Sequence, residues 1–333
     1  MADAVRVGLV GAGRMGHVHA RHLAGLRDVR IVAVVDVREA AARACAREVG
    51  AKAVFRTPEP VVQSPDVDAL VVCSDTDTHA GLIAAAAEGG KHVFCEKPIA
   101  LDLASIDRAL SQVRSAGVKL QVGFNRRFDP AVRRLHEAIR SGAIGSPELL
   151  RITSRDVEPP PLDYVRRSGG LFLDMTIHDL DLARFLAGSE VRRVHAAGSV
   201  CVDPGIGEAG DVDTAVVSLE FQNGVLATID NSRRSVYGYD QRVELFGSRG
   251  LLTSGDALTG LVQAPARPPS RQAQLERYLD SYRLELEAFV ACVREDAPPP
   301  VDGDDARRAL ALALAARLSL RESRAIDPAA VSA

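Results

Sequence analysis

The chain has 333 residues, 47% hydrophobic and 26% charged, with a net charge of -3. That length suits two domains of about 150 residues each, and the near-neutral charge argues against a general binder of nucleic acid or acidic membrane. No apolar run reaches the ~18 residues of a membrane span, the N-terminus has no secretory pattern, and five scattered cysteines without C-x-x-C spacing point to a reducing cytoplasm.

The first third alternates β-branched runs with helical patterns. Strands are predicted at residues 5–10, 30–36, 68–73, 91–95 and 118–124, with helices at 14–26, 39–49, 78–88 and 103–115. Parallel strands need crossover helices, and strands this apolar are covered on both faces. The expectation is an α/β fold, a doubly wound Rossmann domain over residues 1–124.

Residues 125–333 read differently. Helices are predicted near 130–141 and 171–186, with a strand at 148–156 and an irregular loop from Glu158 to Tyr164. From Val191 to about Val262 strand follows strand, and Asn223-Gly224 signals a hairpin in which both turn positions tolerate positive φ. This predicts an α+β domain with a large, mostly antiparallel sheet. A Pro-rich loop at 264–270 leads to helices near 272–295 and 304–322. The last helix is expected to pack back on the first domain, and the tail after Asp327 to fray.

Gly11-Ala-Gly13-Arg14-Met15-Gly16 follows the first strand and opens the first helix. Gly11 makes the tight turn, Gly13 lets the backbone approach a pyrophosphate, and Gly16 packs helix on strand. Asp36 ends the second strand, where a carboxylate accepts both ribose hydroxyls and repels a 2′-phosphate. NAD is therefore expected over NADP, with Arg38 nearby as the cation that could hold that phosphate. Ser74, Thr76 and His79 follow another strand at the carboxyl edge, where such sheets bind ligands. Helix capping by Asp77 or Thr78 is the alternative use of that segment.

Glu96-Lys97-Pro98 lies at the same edge and directs a lysine toward the cleft. Lysine is scarce here: only Lys52, Lys91, Lys97 and Lys119 occur among 41 basic residues. Arginine could serve at Lys52, Lys91 and Lys119, whereas a compact ammonium suits alkoxide chemistry at Lys97. Further on, Asp174 and His178 are four apart, with Asp181 following. On a helix the first two share a face, so the carboxylate can set the imidazole's tautomer and leave it a general base. No third ligand accompanies them, so no metal site is expected.

With these motifs on the page, the chain resembles the Gfo/Idh/MocA oxidoreductases over nearly its whole length. The segments Gly123 to Pro130, Asp174 to Asp181 and Asn231 to Arg242 are most similar to inositol 2-dehydrogenases within that family. The resemblance implies a catalytic triad of Lys97, Asp174 and His178. It assigns substrate hydroxyls to Asn125, Arg127, Asp156 and Tyr237, and adds Arg14, Met15 and Glu96 to the cofactor set. It also implies a cytoplasmic homotetramer in inositol catabolism that oxidises a cyclic polyol with NAD, myo-inositol to its inosose being the expected reaction. A dehydrogenase of another cyclitol or pyranose sugar, a non-catalytic NAD-binding sensor and a metal-dependent hydrolase are the alternative readings.

Overall fold

Val7, Leu9, Val34, Leu70, Val71 and Phe94 are apolar, branched or bulky, and fully buried. They set the centre of a six-stranded sheet in a computed structural model that describes residues 4–255 and 275–331. The strands are β1 (Val5–Val10), β2 (Val29–Val35), β3 (Ala53–Phe55), β4 (Ala69–Val72), β5 (His92–Glu96) and β6 (Leu120–Gly123). Their order is β3-β2-β1-β4-β5-β6, and every pairing is parallel. Helices α1 (Arg14–Gly25), α2 (Glu39–Val49), α3 (Glu59–Gln63), α4 (Thr76–Glu88) and α5 (Leu103–Ala116) make the crossovers. The strand order reverses between β1 and β4, and such a switch point is where open α/β sheets bind ligands.

The chain divides into two compact units. The first runs through Asn125 and resumes from Asp280 to Arg307; the second covers Arg126 to Leu279 and resumes at Arg308. The return to the first unit is therefore made by the helix α10 (Leu279–Arg294), whose Leu286, Phe289 and Val290 join the core of the first sheet. The final helix α11 (Gly303–Glu322) gives only its first turn to that unit. Its body belongs to the second, where Ser319 Oγ accepts from Ala196 N at 2.9 Å. Sequence predicted the reverse, because apolar spacing marks a helix as buried without saying against what.

The second unit contains α6 (Pro130–Arg140), α7 (Leu162–Ser168), α8 (Ile177–Ala187) and α9 (Pro204–Glu208). Its strands are β7 (Pro147–Arg155), β8 (Val191–Ser199), β9 (Thr214–Phe221), β10 (Leu226–Ser232), β11 (Asp240–Gly247) and β12 (Gly250–Ser254), ordered β12-β11-β7-β10-β9-β8. Four pairings are antiparallel, while β7 and β10 run parallel. The sheet is thus mixed, because a long excursion separates those two neighbours. Alternate side chains of β9 and β10 are buried. The other face presents Leu149, Val216, Leu226, Phe246 and Leu251 to solvent.

Three local expectations change. The hairpin after β9 forms, but of its turn residues Gly224 alone has a positive φ, 91°, so it is not the turn with two left-handed residues. Tyr164 lies in α7 and not in an irregular loop. The tail after Asp327 forms a short 3₁₀ turn, Pro328–Ala330, capped by the Asp327 side chain on Ala329 N. The Pro-rich segment 264–270 lies outside the described residues.

Candidate active site

The glycine-rich turn is built by contact. Gly11 has φ 96°, and a Cβ there would lie 2.5 Å from Ser74 N and 2.6 Å from the Cys73 carbonyl carbon. A Cβ on Gly16 would run into the Gly11 carbonyl. Gly13 is the opposite case: a Cβ would meet nothing within 4 Å. It is also the N-cap of α1 and offers no capping side chain. The helix therefore begins with backbone N–H groups facing open space, as an anionic pyrophosphate requires.

Asp36 is locked to this turn. Its carboxylate accepts from Ala12 N at 2.8 Å and from Arg38 N at 2.8 Å. The Arg38 side chain pairs with the same carboxylate at 3.5 Å. A carboxylate at this position suits ribose hydroxyls better than a phosphate. The residues present fit a nicotinamide dinucleotide.

The turn after β4 is assembled otherwise than predicted. Ser74 Oγ and Thr78 Oγ1 are 2.6 Å apart, and Thr78 Oγ1 donates to Asp75 O at 2.7 Å. The N-cap of α4 is Asp75, without a side-chain bond, so neither Asp77 nor Thr78 caps the helix. Thr76 is the first residue of α4. His79 is buried, its ring nitrogens 2.8 Å from Pro98 O and 3.0 Å from Ser74 O. It staples the turn after β4 to the turn after β5. The Lys97–Pro98 bond is cis. Lys97 N donates to Glu96 Oε2 at 3.3 Å, and Glu96 Oε1 lies 2.6 Å from His19 Nε2. Lys91, expected to be replaceable by arginine, is buried and donates to Ser64 O at 2.6 Å and Val67 O at 2.9 Å. A planar guanidinium does not match that compact seat.

In the second unit, Asp174 is held from two sides. Tyr164 Oη donates to its Oδ1 at 2.9 Å, and Arg233 Nη1 to its Oδ2 at 2.9 Å. Arg233 Nη1 also reaches Asp156 Oδ2 at 3.3 Å. Burial disfavours the Arg233 charge, but the two carboxylates outweigh it and raise its pKa. The segment carrying Asp174 differs from the prediction. Residues Phe172–Thr176 form a π turn, and regular helix starts at Ile177. The wider turn breaks the simple four-residue phase between Asp174 and His178.

Behind this segment lies a polar network that the sequence did not single out. Arg126 donates to Asp179 Oδ1 and, at 3.1 Å, to Ser154 Oγ. Ser154 Oγ donates to Asp179 at 2.7 Å, Asn231 Nδ2 donates to it at 2.9 Å, and Thr176 Oγ1 donates to Asn231 Oδ1 at 2.6 Å. All five residues are buried. The network fixes α8 to β7 and β10 and so fixes the depth of the Asp174 segment. Its only sequence signal was position, since Arg126, Asp179, Asn231 and Arg233 stand inside the three segments that carried the resemblance.

The four expected substrate contacts have partners within the protein. Arg127 forms a two-pronged pair with Asp181, at 2.8 and 2.5 Å, and lies 5.2 Å from the Phe185 ring centroid. Tyr237 Oη donates to Asp240 at 2.6 Å and accepts from Arg155 at 2.9 Å. Asn125 Nδ2 donates to Ser281 Oγ at 3.2 Å, and Asp156 takes the bond from Arg233. Among the described residues no helix is long and apolar enough to cross a membrane.

Comparison with known proteins follows the same division. Residues 5–124 match a family model described as an oxidoreductase family with an NAD-binding Rossmann fold, and residues 132–253 match the GFO/IDH/MocA C-terminal domain. The chain is 49% identical to a myo-inositol 2-dehydrogenase of Thermotoga maritima over 97% of this chain and 98% of that one. A solved myo-inositol dehydrogenase of Corynebacterium glutamicum shares 37% identity at a TM-score of 0.90, over 97% of this chain and 98% of that one. A scyllo-inositol dehydrogenase of Lactobacillus casei, solved with NAD(H) and scyllo-inositol, shares 29% identity at a TM-score of 0.88, over 98% and 100% of the two chains. By its two family domains and its near full-length likeness to these dehydrogenases, the chain belongs to the Gfo/Idh/MocA family of oxidoreductases.

Proposed function

We propose that this protein is an NAD-dependent dehydrogenase that oxidises a secondary hydroxyl of a cyclic polyol, converting myo-inositol to its 2-keto product. The observation that carries the reading is Asp174 held by Arg233 and Tyr164 in a chain 49% identical to a myo-inositol 2-dehydrogenase. When bound, NAD supplies the hydride acceptor. The α1 N-terminus at Gly13 would hold its phosphates, and Asp36 its ribose hydroxyls. His178 takes the proton of the reacting hydroxyl as general base. Asp174, paired with Arg233, favours the imidazolium that results. Lys97 donates to the reacting oxygen and stabilises the charge that develops there. Asn125, Arg127, Asp156 and Tyr237 would anchor hydroxyls away from the reacting carbon. Their bonds to neighbouring side chains preset the direction in which each can serve.

Two coarser properties belong to the same proposal. The open sheet face with Leu226, Val216, Leu149, Phe246 and Leu251 is exposed apolar surface of the kind that assembles copies, and a homotetramer is the expected assembly. Five free cysteines suit a reducing cytoplasm. A second reading, oxidation of scyllo-inositol, is favoured by the likeness to the Lactobacillus casei enzyme. The test is NAD reduction by the purified protein across inositol isomers and aldopyranoses. The highest kcat/KM is expected with myo-inositol. Preference for scyllo-inositol or a pyranose transfers the assignment, and absence of polyol-dependent reduction removes it.

A further inference from the structure

The segment that carries Asp174 begins without a local cap. Leu171 leads into the π turn, and a backbone N–H at the start of a helix has no partner within the helix. The residues just before it offer no acceptor side chain. Ser168 Oγ donates to Val165 O at 3.3 Å, back into α7, and the next two residues are Gly169 and Gly170.

The acceptor comes from Asp211, in the stretch between α9 and β9. Asp211 Oδ2 accepts from Leu171 N at 2.9 Å. Its approach depends on Gly170, which has φ 83° and where a Cβ would lie 2.7 Å from Asp211 Oδ1. The other end of the Leu171 backbone is held as well: its carbonyl accepts from Thr176 Oγ1 at 3.4 Å, and Thr176 belongs to the buried network on Asn231. Leu171 is thus fixed on both sides, and Asp174 follows three residues later.

The same stretch reaches the arginine that pairs with Asp174. Asp213 O accepts from the backbone N–H of Arg233 at 2.8 Å, and Arg233 Nη1 donates to Asp174 Oδ2 at 2.9 Å. The stretch is itself tied down. Asp211 N donates to Ile206 O at 3.1 Å. The buried Asp213 carboxylate accepts from Cys201, Val202 and Asp203 N at 2.8, 2.8 and 2.9 Å. Asp211 also lies near enough to the pair to feel it. Burial raises its carboxyl above the usual 3.8 and the Asp174 charge adds to that, while the Leu171 N–H and Arg233 act against it.

We propose that Asp211 is a positioning residue for Asp174: its carboxylate caps Leu171 N from a stretch that also seats Arg233, and so holds the acid in register with its guanidinium partner. The proposal rests on Asp174 acting in catalysis. In the full-length protein, Asp211→Ala should lower kcat with the preferred inositol about tenfold, by misplacing Asp174. KM for NAD should change little, since Asp36 and the glycine-rich turn lie in the first unit. Asp211→Asn keeps an acceptor oxygen and should restore most of kcat. In an Asp174→Asn background, Asp211→Ala should cost almost nothing further, because groups that act as one are not additive. Where Asp211→Ala does not fold, Asp211→Glu, one methylene longer, takes its place in each comparison.

A loss of kcat that recurs in full in the Asp174→Asn background overturns the proposal, since it marks a general structural role. So does an Asp211→Asn protein no more active than Asp211→Ala. Wild-type kcat in Asp211→Ala overturns it if Asp174→Asn is impaired. If Asp174→Asn keeps wild-type kcat, the reading of Asp174 itself fails.

Discussion

Arg233 joins Asp174 to Asp156: one guanidinium nitrogen donates to both carboxylates, at 2.9 and 3.3 Å. The arginine is buried, and the two acids it bonds carry most of its pKa rise. Arg233→Met should leave two close carboxylates without their cation. A buried pair broken on one side costs about 3–5 kcal/mol, and turnover should fall about 10²-fold through loss of the acid–base arrangement. Thermal melts and kcat on the same preparation check both. Retention of wild-type kcat would show that Asp174 needs no anchor.

Lys97→Ala and His178→Ala should each reduce kcat by about 10²-fold or more, as for loss of an acid–base group. Affinity for NAD, followed by fluorescence titration, should persist in both. Near-normal turnover in both variants would remove the catalytic assignment.

The proposed role of Asp36 is to set cofactor choice. Its carboxylate, 3.5 Å from Arg38, would repel a 2′-phosphate. Wild type should show a higher kcat/KM with NAD than with NADP. Asp36→Ser should narrow the ratio by about 10-fold or more, the equivalent of roughly one lost charge-assisted hydrogen bond. A wild-type preference for NADP would contradict this role.

Asp213 predicts a pH dependence. Burial opposes its charge, but backbone N–H groups of Asp203, Cys201 and Val202 hold its carboxyl below the usual 3.8. An acid with a lowered native pKa gives its full stability above the ordinary value and loses it as pH falls through the native one. Asp213→Asn should thus lower stability at neutral pH by about 1.5–3 kcal/mol. The difference should shrink below about pH 3. Urea unfolding at several pH values measures it; a gap independent of pH would rule out the carboxylate as its cause.

Leu226 is half-exposed on the open face of the second sheet. Leu226→Asp should shift the proposed homotetramer to smaller species, read by light scattering after gel filtration, while the circular dichroism spectrum stays the same. An unchanged mass would place the assembly surface elsewhere.

Much of the first unit is legible because each of its signals is local. A glycine-rich turn, an acid at a strand end and alternating strand and helix patterns all act within a few residues. What the sequence hides is set by distant partners. Glu285 looks like an ordinary polar residue of a surface helix until α10 is placed among Phe94 and Leu9. His79 reads as a ligand contact because a strand end suggests one, yet two backbone carbonyls from separate turns claim its ring. The parallel pairing of β7 with β10 crosses three helices and two strands, a range over which periodicity carries no information. Lys97, Asp174 and His178 were read as chemistry-bearing, but the Tyr164 and Arg233 that hold Asp174 were not, since neither has a spacing that relates it to Asp174.

The π turn at Phe172–Thr176 makes the local frame sensitive to length. A π turn holds one residue more than the α turn it replaces, and each residue rotates a helix by about 100°. Removing one residue upstream of Asp174 and regularising the turn would leave α8 and its buried network in place, but swing Asp174 off Arg233 and Tyr164. Chain length in this stretch, apart from any side-chain identity, is thus a setting on which the acid's aim depends.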